Sequence, residues 1–188
     1  MSLIAGCSQD TATAAEPVVV TKDKVAVVYY SWSPDGNTRF AAETIAKASG
    51  GSLFEIKAKK PYPSDYQACV AEAKVECGAK SLREIEPIAG LDLTKYDVIF
   101  VGSPNWWGTM APPVRTWVTQ NLDALKGKTL CLFQTHGGGG MQNLARDFEV
   151  LAGSSAKILP AKAFSGYSVK SNAKAIEDFV AERISAER

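Results

Sequence analysis

"SWSPDGNTR", residues 31–39, stands directly behind the apolar run "KVAVVYY" (24–30) and directly ahead of "FAAETIAKA" (40–48). A strand-like run, a turn rich in Ser, Asn, Thr and Gly, and a helix-like period make one βα unit. Turn chemistry alone accounts for these residues as a surface connection. An anion cradle accounts for them equally well. The first turn of a helix offers unpaired N–H groups and about half a positive charge, so it holds an anion without any Lys or Arg. The hydroxyls of Ser31, Ser33 and Thr38, the Asn37 amide and a close backbone approach at Gly36 would complete such a cradle.

The rest of the chain repeats the same unit. The period Ala41, Ala42, Ile45, Ala46, Ser49 predicts a helix over 38–49 that Gly50-Gly51 stops. "SLFEI" (52–56) reads as a second strand, and "SDYQACVAEAKVECGAK" (64–80) as a helix with Ser64 as its N-cap. "YDVIFVGS" (96–103) is a third, buried strand. Val114, Trp117, Val118, Leu122 and Leu125 form one apolar helical stripe, with Pro112-Pro113 suited to its first turn. "KTLCLFQT" (128–135) is a fourth strand and "MQNLARDFEVLAG" (141–153) a fourth helix. "KILPAKAF" (157–164) holds a fifth, irregular strand, and "NAKAIEDFVAERI" (172–184) closes the chain as a helix. Strands alternating with helices imply parallel pairing and helices on both faces: an α/β fold, a three-layer α/β/α sandwich on a doubly wound five-stranded parallel sheet.

In such a sheet ligands bind beyond the carboxyl ends of the strands, where the strand order reverses. Three loops of unusual composition leave those ends: 31–38, 103–113 and 135–141. The P-loop pattern GxxxxGK[ST] is absent, and no GxGxxG follows the first strand, which removes the best support for ATP-type and NAD-type sites. Net charge is +1 with no basic stripe, which gives no argument for a nucleic-acid partner. No stretch approaches the roughly 20 apolar residues that span a bilayer. Cys69 and Cys77 lie about 12 Å apart along one helix, too far for a disulfide unless it breaks at Gly78. Cys131 reads as core, and no Cys/His cluster points to a metal.

"VVYYSWSPDGNTRFAAETIA" resembles the flavin mononucleotide (FMN) phosphate loop of the flavodoxin family, in which a Ser/Thr-x-Ser/Thr-Gly-Asn-Thr loop opens the first helix. "SPNWWGTMAPPVRTW" (103–117) is similar to the segment that holds the isoalloxazine ring in long-helix members, and "THGGGG" (135–140) to the loop on the ring's other edge. The match runs from about residue 24 to the end. It implies FMN as cofactor, the strand order 2-1-3-4-5, and a site built from Ser31, Trp32, Ser33, Gly36, Asn37, Thr38, Pro104, Asn105, Trp106, Trp107, Gly108, Thr135, His136, Gly137 and Gly138. Pro34-Asp35 is a departure: two extra residues before the glycine widen the loop and bring a carboxylate near the phosphate.

Within that site Trp106 and Trp107 are adjacent, so a strand-like backbone would point them to opposite sides and stack only one on the ring. By resemblance, a peptide flip beside Gly108 accepts a hydrogen bond from the reduced flavin. Asn105 either serves the ring's edge or caps the turn. His136, the one histidine, is a candidate donor to the flavin's N1–O2 edge, with the Gly137 and Gly138 N–H groups as the safer donors. Tyr66 and Arg115 read as packing and as a solvated helix face rather than as pocket residues.

The loops 103–113 and 135–141 carry no charged residue, and basic and acidic residues number 21 and 20. Nothing there repels a reduced, anionic flavin, unlike the acidic surround of a low-potential shuttle. The expectation is therefore an oxidoreductase passing electrons from NAD(P)H through FMN to a small acceptor such as a quinone. The alternatives are an electron carrier between protein partners and a structural FMN module. Residues 1–23 read as a lipobox remnant and tether ahead of the domain at 24–188. "LIAGC" resembles a bacterial lipobox, with Cys7 as the lipidated residue. A lipid-anchored protein of the bacterial cell envelope is expected, with a cytoplasmic one as the alternative and the lipid as its link to a membrane. Relatives include homodimers, but no apolar seam here requires one.

Overall fold

A computed structural model describes residues 16–186 of the chain, so Cys7 and its lipobox lie outside the described residues. Five parallel strands form the centre: β1 (Val25–Tyr29), β2 (Ser52–Glu55), β3 (Val98–Trp106), β4 (Thr129–His136) and β5 (Lys157–Ser165). Their order is β2-β1-β3-β4-β5, as the resemblance implied, so the direction of winding reverses between β1 and β3. The helices are α1 (Asn37–Ser49), α2 (Tyr66–Gly78), α3 (Pro112–Gln120), α4 (Leu144–Ala152) and α5 (Ala173–Arg183).

The period of two along a strand sorts the core into two layers. Ala26, Val28, Ile99, Val101, Leu130 and Leu132 face α2, α3 and α4, where they meet Trp117 and Phe148. Val25, Val27, Phe100, Cys131 and Phe133 face α1 and α5, where they meet Ile45 and Phe179. Every residue of β1 is buried, which explains its unbroken apolar run.

Several local expectations change. The N-cap of α2 is Asp65, whose carboxylate accepts the Ala68 N–H at 2.8 Å, and not Ser64. The helix runs unbroken to Gly78 with Cys69, Ala73 and Cys77 on its buried side, so both cysteines remain thiols. The stripe through Leu125 overran its helix: α3 stops at Gln120, and the Asn121 side-chain amide donates to the Trp117 carbonyl at 2.7 Å. α4 starts at Leu144 rather than Met141, because Gln142 takes φ +44° in the left-handed region, which a helix cannot use. The irregularity of β5 is a bulge: between the pairs Cys131–Leu159 and Phe133–Lys162 it carries one residue more than β4. Pro160, which has no N–H to donate, sits in that bulge on an edge strand.

Two small features were not foreseen. Thr109–Met110 folds back antiparallel on Asn105–Trp106. Val18–Val20 pairs in parallel with Ile184–Ala186, so the folded part begins ahead of residue 24 and ties the two ends of the domain together.

Three measurements follow from this packing. A Cβ on Gly102 would lie 2.2 Å from the Phe133 ring. Urea unfolding of Gly102→Ala should therefore show a loss of about 1–3 kcal/mol, the usual cost of overpacking. Burial also raises the thiols of Cys69 and Cys77 to about 11 and that of Cys131 to about 12. These three should resist Ellman's reagent at pH 8 until the protein unfolds. Because the folded pKa values exceed the unfolded ones, stability is intact below about pH 9 and should fall as the pH rises from there toward 12.

Candidate cofactor site

The reversal of strand order leaves a crevice beyond the carboxyl ends of β1 and β3. A cavity of about 570 Å³ occupies it. Trp32, Ser33, Asn37 and Thr38 line it from the first loop, Pro104, Asn105, Trp106 and Trp107 from the second, and Thr135, His136 and Gly137 from the third. Ser31, Gly36, Gly108 and Gly138 are not among the lining residues. Of these, Gly36 and Gly108 act through the backbone: both take positive φ, +62° and +84°.

In the first loop the Pro34-Asp35 insertion is absorbed by a tight turn. The Gly36 N–H donates to the Ser33 carbonyl at 2.9 Å, with proline and aspartate between. Gly36 then takes a left-handed conformation and α1 starts at Asn37. As at any helix start, the N–H groups of Asn37, Thr38 and Arg39 have no intrahelical acceptor. The Ser31 hydroxyl is buried and has no hydrogen-bond partner among the described residues. The Asp35 side chain is exposed at the cavity's edge, beside this turn. Thr38 and Thr135 share a buried hydroxyl–hydroxyl bond of 2.7 Å, which locks the first loop to the third.

The second loop separates the tryptophans by a hairpin turn rather than by strand alternation. Trp107 and Gly108 both have positive φ, +52° and +84°, the conformation of a two-residue type I′ connection. Trp106, before the turn, packs edge-on against Tyr62 at 4.8 Å and Tyr30 at 5.8 Å. Arg83 holds this wall from behind. Its guanidinium lies 3.6 Å over the Tyr62 ring and pairs with Glu72 and Glu76 at 2.7 and 2.8 Å. Tyr62 also donates to Glu76, and burial together with that carboxylate pushes the Tyr62 hydroxyl pKa far up. Trp107 is 53% exposed; its indole N–H reaches the Val70 carbonyl at 3.2 Å, which ties the turn to α2.

Asn105 caps the turn: its carbonyl oxygen accepts the Gly108 N–H at 3.0 Å, and its amide donates to the Gly140 carbonyl and Gln142 Oε1, both at 2.9 Å. The Gly108 carbonyl accepts from the Asn143 N–H at 2.9 Å. Both peptides beside Gly108 are thus held, and a flip at either one breaks a hydrogen bond. In the third loop His136 Nδ1 accepts the Gly138 N–H at 3.0 Å. That corrects the expectation for Gly138, whose N–H is spent on the histidine and which does not line the cavity; Gly137 does line it.

Three further placements were missed. Tyr66 does more than pack: its ring lies 6.4 Å from that of Trp32, and it also lines the cavity and is 64% exposed. Arg115 is not solvated: it is buried and donates to Thr109 Oγ1 at 3.2 Å, whose hydroxyl donates to Asp147, because α3 turns that face toward α4. A fourth loop also reaches the cavity through Gly166 and Tyr167. The strand-end rule applied to β5 would have found it. A Cβ on Gly166 would lie 2.8 Å from the Asn37 amide nitrogen. Cys69, Val70 and Ala73 of α2 complete the wall. No group of His, Cys, Asp and Glu among the described residues is arranged to hold a metal ion.

Comparison with known proteins agrees with this geometry. A protein from Bacteroides eggerthii DSM 20697, provisionally classed as a flavoprotein, is 27% identical over 81% of this chain and 97% of its own, with a TM-score of 0.66. A flavoprotein from Lactobacillus acidophilus NCFM, solved in complex with FMN, is 25% identical over 79% of this chain and 97% of its own, with a TM-score of 0.65. A similarly classed protein from Bacteroides uniformis ATCC 8492 shares the fold at 24% identity and a TM-score of 0.68, over 82% of this chain and 97% of its own. A family model described as Flavodoxin matches residues 24–179, most of the chain, and the chain belongs to the flavodoxin family.

Proposed function

We propose that the chain binds FMN non-covalently in this crevice and works as a redox protein. One observation carries the reading: the first turn of α1, whose N–H groups lack intrahelical acceptors, lines the cavity through Asn37 and Thr38, and the loop before it holds an orphaned buried hydroxyl, Ser31. Such groups suit a phosphate, and the cavity beside them has tryptophan walls suited to a flat ring. The Lactobacillus relative's complex with FMN supports the same cofactor.

Bound FMN would supply two-electron chemistry to a site that has no redox metal cluster of its own among the described residues. The protein's residues bind and orient it. Ser31, Ser33, Asn37 and Thr38 with the α1 N–H groups would take the phosphate. Trp106, immobilised by Tyr30 and Tyr62, would form the inner wall and Trp107 the outer one. His136 Nδ1 accepts from Gly138, so the neutral ring carries its proton on Nε2, the nitrogen left to donate at the cofactor's edge.

The uncharged second and third loops support an oxidoreductase that moves electrons from NAD(P)H to a small acceptor such as a quinone. A second reading, a carrier between protein partners, is favoured by a specific feature: Tyr66, Trp107 and Tyr167 stand exposed around the mouth, a composition common at protein contacts. A lipid on Cys7 would place the domain in the cell envelope, where nicotinamide is scarce, and would favour this second reading. Anaerobic NADPH separates the two: bleaching of the bound flavin supports the enzyme, and persistent colour supports the carrier.

Two substitutions test the cradle by isothermal titration with FMN. Ser31→Ala should weaken binding about 10- to 100-fold, the loss of one hydrogen bond to a charged group, while leaving the stability of the free protein nearly unchanged. Asp35→Asn should tighten binding, since it removes a carboxylate from beside a phosphate; weaker binding would contradict the placement of Asp35.

A further inference from the structure

The aromatic rings around the cavity form a branched chain of contacts. Trp106, the inner wall, lies 6.3 Å from Trp32, centroid to centroid, and Trp32 lies 6.4 Å from Tyr66. Both separations fall within the roughly 4.5–7 Å of packed aromatic pairs. Tyr66 ends that branch at the surface, 64% exposed. The other branch runs from Trp106 to Tyr62 and Tyr30, both buried. Resting on the reading that a flavin binds against Trp106, we propose that Trp106, Trp32 and Tyr66 form a relay that carries a one-electron hole from the cavity to solvent. The relay discharges an oxygen-centred radical, the class of oxidant formed where a reduced flavin meets dioxygen.

Charge selects this branch. A cation over a ring's face is attracted to its electrons and makes one of them harder to remove. The Arg83 guanidinium lies 3.6 Å over Tyr62, and the Lys74 ammonium 5.2 Å over Trp107. Among the described residues no such contact falls on Trp106, Trp32 or Tyr66. Protons select the same branch. The Trp32 indole N–H donates to the Pro63 carbonyl at 3.1 Å. A peptide carbonyl is too weak a base to take that proton, so the hole is not trapped on Trp32. A tyrosine keeps the hole by losing its phenolic proton. Tyr62 is bonded to Glu76, and a proton moved there would neutralise a carboxylate paired with the buried Arg83 at 2.8 Å. Exposed Tyr66 gives its proton to water. Trp106 thus passes one electron to the radical, Trp32 refills Trp106, and Tyr66 refills Trp32 as its proton leaves. The radical gains that electron and a proton from water and departs as a hydroperoxide or alcohol. A hydrogen-atom donor in solution, an enediol such as ascorbate, then restores the Tyr66 phenol.

Pulse radiolysis of the full chain with azide radicals, which oxidise tryptophan, tests the relay. A Trp107→Phe background removes the exposed tryptophan that lies outside it. After the pulse the indolyl absorption should decay while a tyrosyl absorption grows in step, at a rate independent of protein concentration. Tyr66→Phe should abolish that growth and leave the indolyl radical standing. The change removes one hydroxyl from an exposed side chain, so the fold is kept. Trp32→Phe should abolish the growth as well, although Tyr66 is still present. An indolyl radical that never converts in the background protein overturns the relay. Growth that survives Tyr66→Phe and is lost in Tyr62→Phe overturns the choice of branch, and growth that survives Trp32→Phe overturns the path. The radiolysis needs no flavin, so a protein that takes up no FMN sinks the cofactor reading while the relay is still judged.

Discussion

The structure is organised by the unpaired N–H groups at the start of α1, which follow a loop whose first residue, Ser31, keeps a buried hydroxyl with no partner among the described residues. A protein normally satisfies such groups, because leaving a buried polar atom unpaired costs on the order of 1–3 kcal/mol. Here the deficit falls where the sheet reverses direction, and the Thr38–Thr135 bond holds it in place. A phosphate would offset it without any cation. The one charged side chain that the first loop contributes to the cavity's lining, Asp35, opposes a dianion, so the grip has to come from neutral donors.

The other loops act around that point as braces. Asn105 joins the Trp107-Gly108 turn to the third loop, and Gln134 adds a second amide bond to the Gly140 carbonyl. Trp106 is braced from below by Tyr62, itself covered by Arg83 and bonded to Glu76. Ionic groups on α2 and the segment after it thus fix an aromatic wall without entering the cavity. The inner side of the wall is braced by Tyr30 and Tyr62, and on the outer side Trp107 is tied to α2 through the Val70 carbonyl and lies against Lys74.

Most of the fold was legible because burial on both faces of a parallel sheet writes itself as continuous apolar runs such as residues 25–30. What was missed depends on partners distant in sequence. Nothing near Arg115 announces Asp147 and Thr109. Helix periodicity through Leu122 and Leu125 carried no sign that Asn121 would stop α3. The site was legible wherever composition was unusual, as at Ser31–Thr38 and the Trp doublet. Hydrogen bonding inside the loops was not, so the use of the Gly138 N–H by His136 and the capping role of Asn105 emerged only from coordinates. The Gly166–Tyr167 loop escaped because its composition is ordinary, although its position at the end of β5 is not.

The central claim is that neutral groups at the head of α1 grip a phosphate while the aromatic walls hold a ring. Comparing the affinities of the protein for FMN and for riboflavin, which lacks the phosphate, tests it most directly. The account predicts FMN binding at least about 100-fold tighter, the worth of two charge-assisted hydrogen bonds. Equal affinity for the two flavins would contradict it.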